Sequence, residues 1–458
     1  MRHTLLRAAT GMLLCAAAVL LILLLSDYGR PAGSDTRTYD PQNGDTVLFG
    51  ATPGPTGYGS VVAEFTAPGG TLHLWQKDKW LTLPLRQGRY DGSLFVLDGT
   101  DGGSDMAYLP QCWQTLEYGS RRWQPEGDGF LRVTRQKGGG YRLQLCTGRV
   151  ETGQTADWTL VQSEERLLDW SGQYTAVLWG SYGNTGQGRW CYDGYYWPAP
   201  ETYQPHGENV YYAMVDAYLC RSLINLAAQQ NGGRLSWDLA GATLTVMADR
   251  QNEQGYFPTQ CPSTWLMEDY GVGAGFFDTR FNTDLIDLFC QAETLYGDAR
   301  FTDVLDRYAA FYLNWAAAHH TETANGGWLL WDYSQGDSGA THSSLNHLLA
   351  QAQTAWHLYD RTGDARLDQL ARRILTAVED VGDGWIRTGD GNLHYAVYPD
   401  GTVGGEDYPY LTYNDLFLMQ QTLRQRLGRE SDLLARLMES KKAWMDRNGV
   451  TGYLTDEQ

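Results

Sequence analysis

The chain has 458 residues, 42% of them apolar and 19% charged, with 17 Trp, 29 Tyr and 53 Gly. That length exceeds what one hydrophobic core usually supports, so two or three domains are expected. A formal net charge of −19 excludes nucleic acid as a partner, because such binding rests on Lys and Arg neutralising phosphates.

Arg2, His3 and Arg7 precede an uncharged run from Ala8 to Ser26. The run is long for a signal-peptide core and about right for one membrane span. Residues 1–26 therefore read as an uncleaved anchor, with 8–26 in the cell membrane and 27–458 extracytoplasmic. A cleaved signal peptide, giving a secreted protein, is the alternative. Six cysteines lie beyond the anchor (Cys112, Cys146, Cys191, Cys220, Cys261 and Cys290) without CxxC spacing, and read equally as thiols or disulfides.

Residues 27–48 are polar and read as a linker. Over 49–200 short runs of β-formers alternate with Gly, Asp and Pro clusters, as at Val61–Phe65, Thr71–Trp75, Ser93–Leu97, Tyr141–Leu145 and Ala176–Trp179. That pattern predicts an antiparallel β domain. From about 207 the apolar spacing becomes three and four, as in Leu285, Leu288, Phe289, Ala292 and Leu295. It predicts helices near 209–229, 241–252, 280–296, 300–317, 342–361, 365–379, 411–427 and 430–446.

Gly297-Asp298-Ala299-Arg300 recurs as Gly363-Asp364-Ala365-Arg366 and decays to Gly428-Arg429-Glu430-Ser431, at spacings of 66 and 65 residues. Each copy separates two helical patterns and is followed by a Gly-aromatic element: Gly327-Trp328, Gly384-Trp385 and Gly452-Tyr453, with Gly255-Tyr256 opening the series. A fixed helix–turn–helix period signals stacked helical hairpins. The fold class expected is an α+β multidomain protein: membrane anchor, antiparallel β domain, and a C-terminal (α/α) toroid over 207–458. The loops bearing the Gly-aromatic elements are the expected ligand face.

Three loop stretches bring Tyr together with carboxylates. They are Trp328 to Tyr333 followed by Thr341 to Asn346, Asp390 to Tyr395, and Glu406 to Leu416. A tyrosine with a tuned pKa serves as acid or base. Abstracting the proton beside a carboxylate and returning it on the other face inverts that carbon; expelling the neighbouring substituent instead makes a lyase. Glycoside hydrolysis would need two carboxylates, for which Asp332 and Glu406 or Asp407 are candidates. Asn414 or Thr412 would cap the helix that follows. His342, His347 and His394 lack metal-ligand spacing, and no GxSxG, P-loop or HExxH is present, so neither metal nor cofactor is expected.

Over roughly 241–435 the chain resembles the C-terminal domain of the D-glucuronyl C-5 epimerase family. The resemblance begins at Ala248 to Pro258 and continues through Phe277-Asp278-Thr279-Arg280-Phe281. It includes Trp331-Asp332-Tyr333, Gly391 to Tyr395, and Asp407-Tyr408 with Thr412, Asn414 and Leu416. The family's final motif has His where this chain has Tyr413. The resemblance implies a β-rich part followed by an (α/α) toroid, and catalytic tyrosines at Tyr333, Tyr395 and Tyr408. Tyr395 and Tyr408 would act as proton acceptor and donor on opposite faces of a uronate within a polysaccharide, assisted by Asp332 and Asp407. Arg280 or His394 would bind the carboxylate, with Trp328, Trp331, Glu406 and Asn414 lining the substrate site. The alternatives are a toroid hydrolase or lyase, and an inactive glycan-binding protein.

Overall fold

The computed structural model describes residues 33–76, 79–109, 112–124, 129–172, 189–216, 218–228 and 233–455. The expected anchor and the strand expected at 176–179 lie outside them. Among the described residues no helix is long and apolar enough to cross a membrane. Cys146, Cys191, Cys261 and Cys290 carry free thiols.

The chain forms two compact units. The first runs to Ala199 and adds Pro205–Tyr212 and Leu219–Val246. The strand pairings registered among its described residues are antiparallel. One sheet contains the strands Thr46–Pro53, Gly70–Gln76, Leu94–Gly99, Ser104–Tyr108 and Gln154–Ser163; a second, four-stranded one contains Val61–Ala67, Gly88–Asp91, Phe130–Arg135 and Tyr141–Cys146. Alternation along the strands sends Phe65, Leu72, Leu74, Phe95, Leu97, Leu131, Val133, Leu143 and Leu145 into one apolar core drawn from both sheets. Residues 35–39, inside the expected linker, form a strand paired with 47–51.

The first two helices are α1 (Tyr218–Ala228) and α2 (Arg234–Ala248). The helix expected over 209–229 begins late, because Val210–Ala213 is a strand paired with Arg121 and Arg122. Its Val-Tyr-Tyr run favours a pleated, half-buried surface over helix. α2 starts earlier than expected, at Arg234, whose guanidinium grips Asp45 at 2.9 Å.

The second unit adds Pro200–Gln204 and Ala213–Tyr218 to Met247–Gln458. A short α3 (Thr264–Tyr270), unforeseen in the sequence, precedes three hairpins. These are α4 (Thr279–Tyr296) with α5 (Ala299–Ala318), α6 (Leu345–Thr362) with α7 (Ala365–Val381), and α8 (Leu411–Leu427) with α9 (Asp432–Arg447). α4 packs on α6 and α6 on α8, each backed by its own partner. Burial separates the layers. α6 buries Leu345 to Leu349, Gln351, Ala352, Thr354 to Trp356 and Leu358, whereas α7 buries one stripe: Leu367, Leu370, Ala371, Ile374, Ala377 and Val378. On α5, Tyr308, Tyr312 and Trp315 stack at successive turns, with centroids 5.6 and 6.3 Å apart.

The repeated tag is a pair of caps. Gly297, Gly363 and Gly428 end α4, α6 and α8 in the left-handed conformation, at φ 63, 69 and 66°. Asp298 and Asp364 open α5 and α7 by accepting from the backbone N–H of Arg300 and Arg366. In the decayed copy Ser431 caps α9 instead.

A tyrosine cluster at three helix N-termini as candidate active site

The tags turn the chain at the C-terminal ends of α4, α6 and α8. The long connections return it to their N-terminal ends, so the loops bearing the predicted tyrosines meet there. Helix N-termini carry a partial positive charge, which favours anions. Arg280, in the first turn of α4, ties the three together: its Nη1 donates to the Asn346 carbonyl on α6 at 3.3 Å and to Asp415 Oδ2 on α8 at 2.7 Å. Its Nε bonds Asp284 at 3.1 Å.

Asp332 is the centre. Its carboxylate is 0% exposed and accepts from the Ser344 N–H at 2.9 Å and Ser344 Oγ–H at 2.5 Å. His342 Nε2 lies 3.3 Å and His347 Nδ1 3.6 Å from Oδ2. Backbone bonds hold Asp332 in place: its N–H donates to the His342 carbonyl and its carbonyl accepts from Thr279. Burial opposes the charge, but His347, His342 and Ser344 outweigh it and keep the carboxyl below its ordinary value. Burial also pushes His347 down to about 4, so at neutral pH this imidazole is uncharged. The carboxylate then rests chiefly on its two bonds from Ser344.

The three predicted tyrosines gather around this centre. Tyr333 stands edge-on to His342 and His347, with centroids 5.7 and 5.8 Å away, and packs with Leu266, Val272 and Phe276. Tyr395 lies 5.5 Å from the His342 ring and 5.8 Å from that of Tyr408. Burial raises the pKa of all three, Tyr333 and Tyr395 most strongly; the charges of Asp278 and Asp332 add to it at Tyr408. At neutral pH they are protonated phenols, ready donors that turn basic only when their own proton has somewhere to go. The Tyr395 and Tyr408 rings meet edge to face, with centroids 5.8 Å apart.

The other predicted residues lie apart or are committed elsewhere. Asp407 is buried, bonded to Thr412 and paired with Lys441 Nζ at 2.6 Å. Lys441 also donates to the Tyr408 carbonyl at 2.7 Å, so the pair fixes the loop carrying Tyr408. Glu406 is exposed and faces His394 across a hairpin. Trp328 stacks on His320, with centroids 4.0 Å apart, beneath Arg373; Trp331 stands edge-on to His319. Asn414 accepts from the Leu454 N–H at 2.8 Å. The Gly-aromatic elements therefore pack the helices: Trp385 is 0% exposed, and Tyr256 sits between Phe277 and Phe311. Of the three carboxylates considered for glycoside hydrolysis, Asp332 and Asp407 are bonded within the protein and Glu406 is exposed.

Sequence reasoning missed Tyr270, Asp278 and Trp265 and undervalued His342 and Ser344. Tyr270 ends α3, and its hydroxyl is 3.0 Å from His342 Nδ1. Trp265 lies over the His342 ring. Asp278 caps α4, and burial pushes its carboxyl up to about 7. The Thr341-to-Asn346 run, with two histidines entering one helix, was the available signal; Tyr270 had none. Among the described residues no group of three or more His, Cys, Asp or Glu could hold a metal ion.

No family model and no curated protein sequence matches the chain. Solved structures give distant likenesses. A D-mannose isomerase aligns at TM-score 0.34 and 13% identity, covering 50% of this chain and 60% of that one. A glycoside hydrolase family 76 mannosidase from Bacteroides thetaiotaomicron aligns at 0.39 and 14%, covering 60% and 69%. A cellobiose 2-epimerase from Bacillus thermoamylovorans aligns at 0.36 and 13%, covering 51% and 59%. The alignment thus spans less than two thirds of the isomerase's length, and at such scores these likenesses carry no weight for activity.

Proposed function

We propose that the protein is a carbohydrate-active enzyme that moves a proton at the carbon bearing the carboxylate of a uronate within a polysaccharide, inverting that carbon as a glucuronyl C-5 epimerase does. The observation that carries this reading is the convergence of Tyr333, Tyr395 and Tyr408 on one hydrogen-bonded carboxylate at three helix N-termini. Phenols held protonated by burial suit proton delivery to carbon. Helix N-termini and a dry surround favour the enolate-like charge that forms after abstraction. Tyr408, 46% exposed, is the phenol that reaches substrate, with Tyr395 behind it. The protein would work outside the cell, held by residues 8–26.

Tyr408→Phe removes one hydroxyl from a half-open side chain. It should lower turnover of polyglucuronate by about 100-fold or more, the usual worth of a general acid or base, with little change in melting temperature. Trp328→Ala should leave turnover within a few-fold. The reverse ranking would defeat the assignment, and unsaturated products in place of inverted uronates would show a lyase.

A further inference from the structure

Tyr395 and Tyr408 belong to the two ends of one hairpin. Tyr395 lies in the strand His394–Val397, and Tyr408 follows the strand Val403–Glu406 that pairs with it. We propose that Lys441, on the outer helix α9, is a positioning residue that fastens both ends of this hairpin and so places the two phenols for proton transfer. The proposal rests on the reading above for its reaction.

The contacts form a clasp. The Lys441 ammonium donates to Asn392 Oδ1 at 2.6 Å, just before the first strand, and to the Tyr408 carbonyl at 2.7 Å, just after the second. It lies 2.6 Å from Asp407 Oδ2, and the other Asp407 oxygen accepts from Thr412 Oγ1 on α8. Asn392 Oδ1 also accepts from the Leu393 N–H at 2.8 Å, which fixes the direction in which the first strand leaves. Lys441 and Asn392 are 0% exposed and Asp407 6%, so water does not compete for these oxygens. Two other side chains of α9 hold the first end only. Ser440 donates to the Gly391 carbonyl at 2.7 Å, and Arg447 to the Asp390 carbonyl at 2.5 Å. Of these three side chains, Lys441 reaches both ends.

The hairpin itself is tight. A Cβ at Gly405 would come within 3.0 Å of Tyr395 Cβ and 3.1 Å of the Tyr398 hydroxyl, so a shift at the base is passed on to Tyr395. An acid or base displaced by about 1 Å loses on the order of 100-fold in rate. The groups that bind substrate stay where they are, so the loss falls on kcat and leaves KM.

Lys441→Met alone would leave the Asp407 carboxylate buried without its cation, so the test is made in Asp407→Asn. The double variant Lys441→Met/Asp407→Asn should melt close to Asp407→Asn, yet turn over polyglucuronate at least about tenfold more slowly, in kcat and not in KM. Asn392→Ala keeps the ion pair, opens one side of the clasp, and should show the same split against the wild type. Ser440→Ala, which touches the same loop and not Tyr408, should stay within about a few-fold. Ring 13C NMR signals of Tyr395 and Tyr408, assigned from their Phe variants, give a readout without substrate. They should move in the double variant and in Asn392→Ala, and stay in Ser440→Ala. Should the double variant not fold, Asn392→Ala decides alone. Unmoved ring signals, an unchanged kcat in Asn392→Ala, or a loss confined to KM would overturn the clasp. No turnover by the wild type would instead sink the epimerase reading, and the ring signals would then decide the clasp.

Discussion

At the residue scale, the site is a set of groups whose charge states follow from burial. His347 is 4% exposed, and its Nδ1 lies 2.8 Å from Thr279 Oγ1. Folding holds its pKa at about 4, below the ordinary 6.5. Between those values the unfolded chain binds the extra proton, so stability falls as pH drops through that window, by up to about 3 kcal/mol, and levels off below it. His347→Gln should abolish that part of the slope, read as urea midpoints at pH 7 and 4.5; an unchanged slope would contradict the assignment. The sequence named Asp332, Tyr333, Tyr395 and Tyr408 because Tyr beside a carboxylate in a loop is a local signal. It could not rank His342 or Ser344, whose importance depends on a carboxylate ten and twelve positions away. Tyr270, at the end of α3, carried no mark at all.

At the element scale, each hairpin has a capped turn at one end and a long, functional connection at the other. Asp298→Ala and Asp364→Ala should each cost about 1 kcal/mol, the usual worth of an N-cap, and should nearly add, because each caps its own helix. Urea unfolding measures this. Turnover should stay within a few-fold in the double variant, and a tenfold loss with the fold intact would break the separation of tag from site. Lys441→Met should cost about 3–5 kcal/mol, because it leaves the Asp407 carboxylate buried without its cation. Gly at the C-cap followed by Asp at the N-cap is a two-residue rule with local causes, which is why the hairpins were legible from the tag. The strand at Val210–Ala213 was not, because its partners Arg121 and Arg122 lie far back in the chain. The Gly-aromatic elements kept a regular period for packing reasons, and the period alone does not tell a ligand wall from a core.

At the scale of the whole molecule, an antiparallel β unit and a helical unit follow in the order the sequence predicted. The net charge of −19 bears on function here, since a polyuronate would be repelled by it. Turnover of polyglucuronate at sub-saturating concentration should therefore rise as ionic strength goes from about 10 to 150 mM, as screening shortens the reach of that repulsion. A steep fall would point to a basic docking surface instead. The central claim is proton transfer at the carbon bearing the carboxylate. Its most direct measurement is deuterium uptake at that carbon when the wild-type protein meets polyglucuronate in heavy water, read by NMR. Deuterium appearing there together with inverted residues is the predicted result. Complete absence of deuterium, with the polymer and its configuration unchanged, would contradict it.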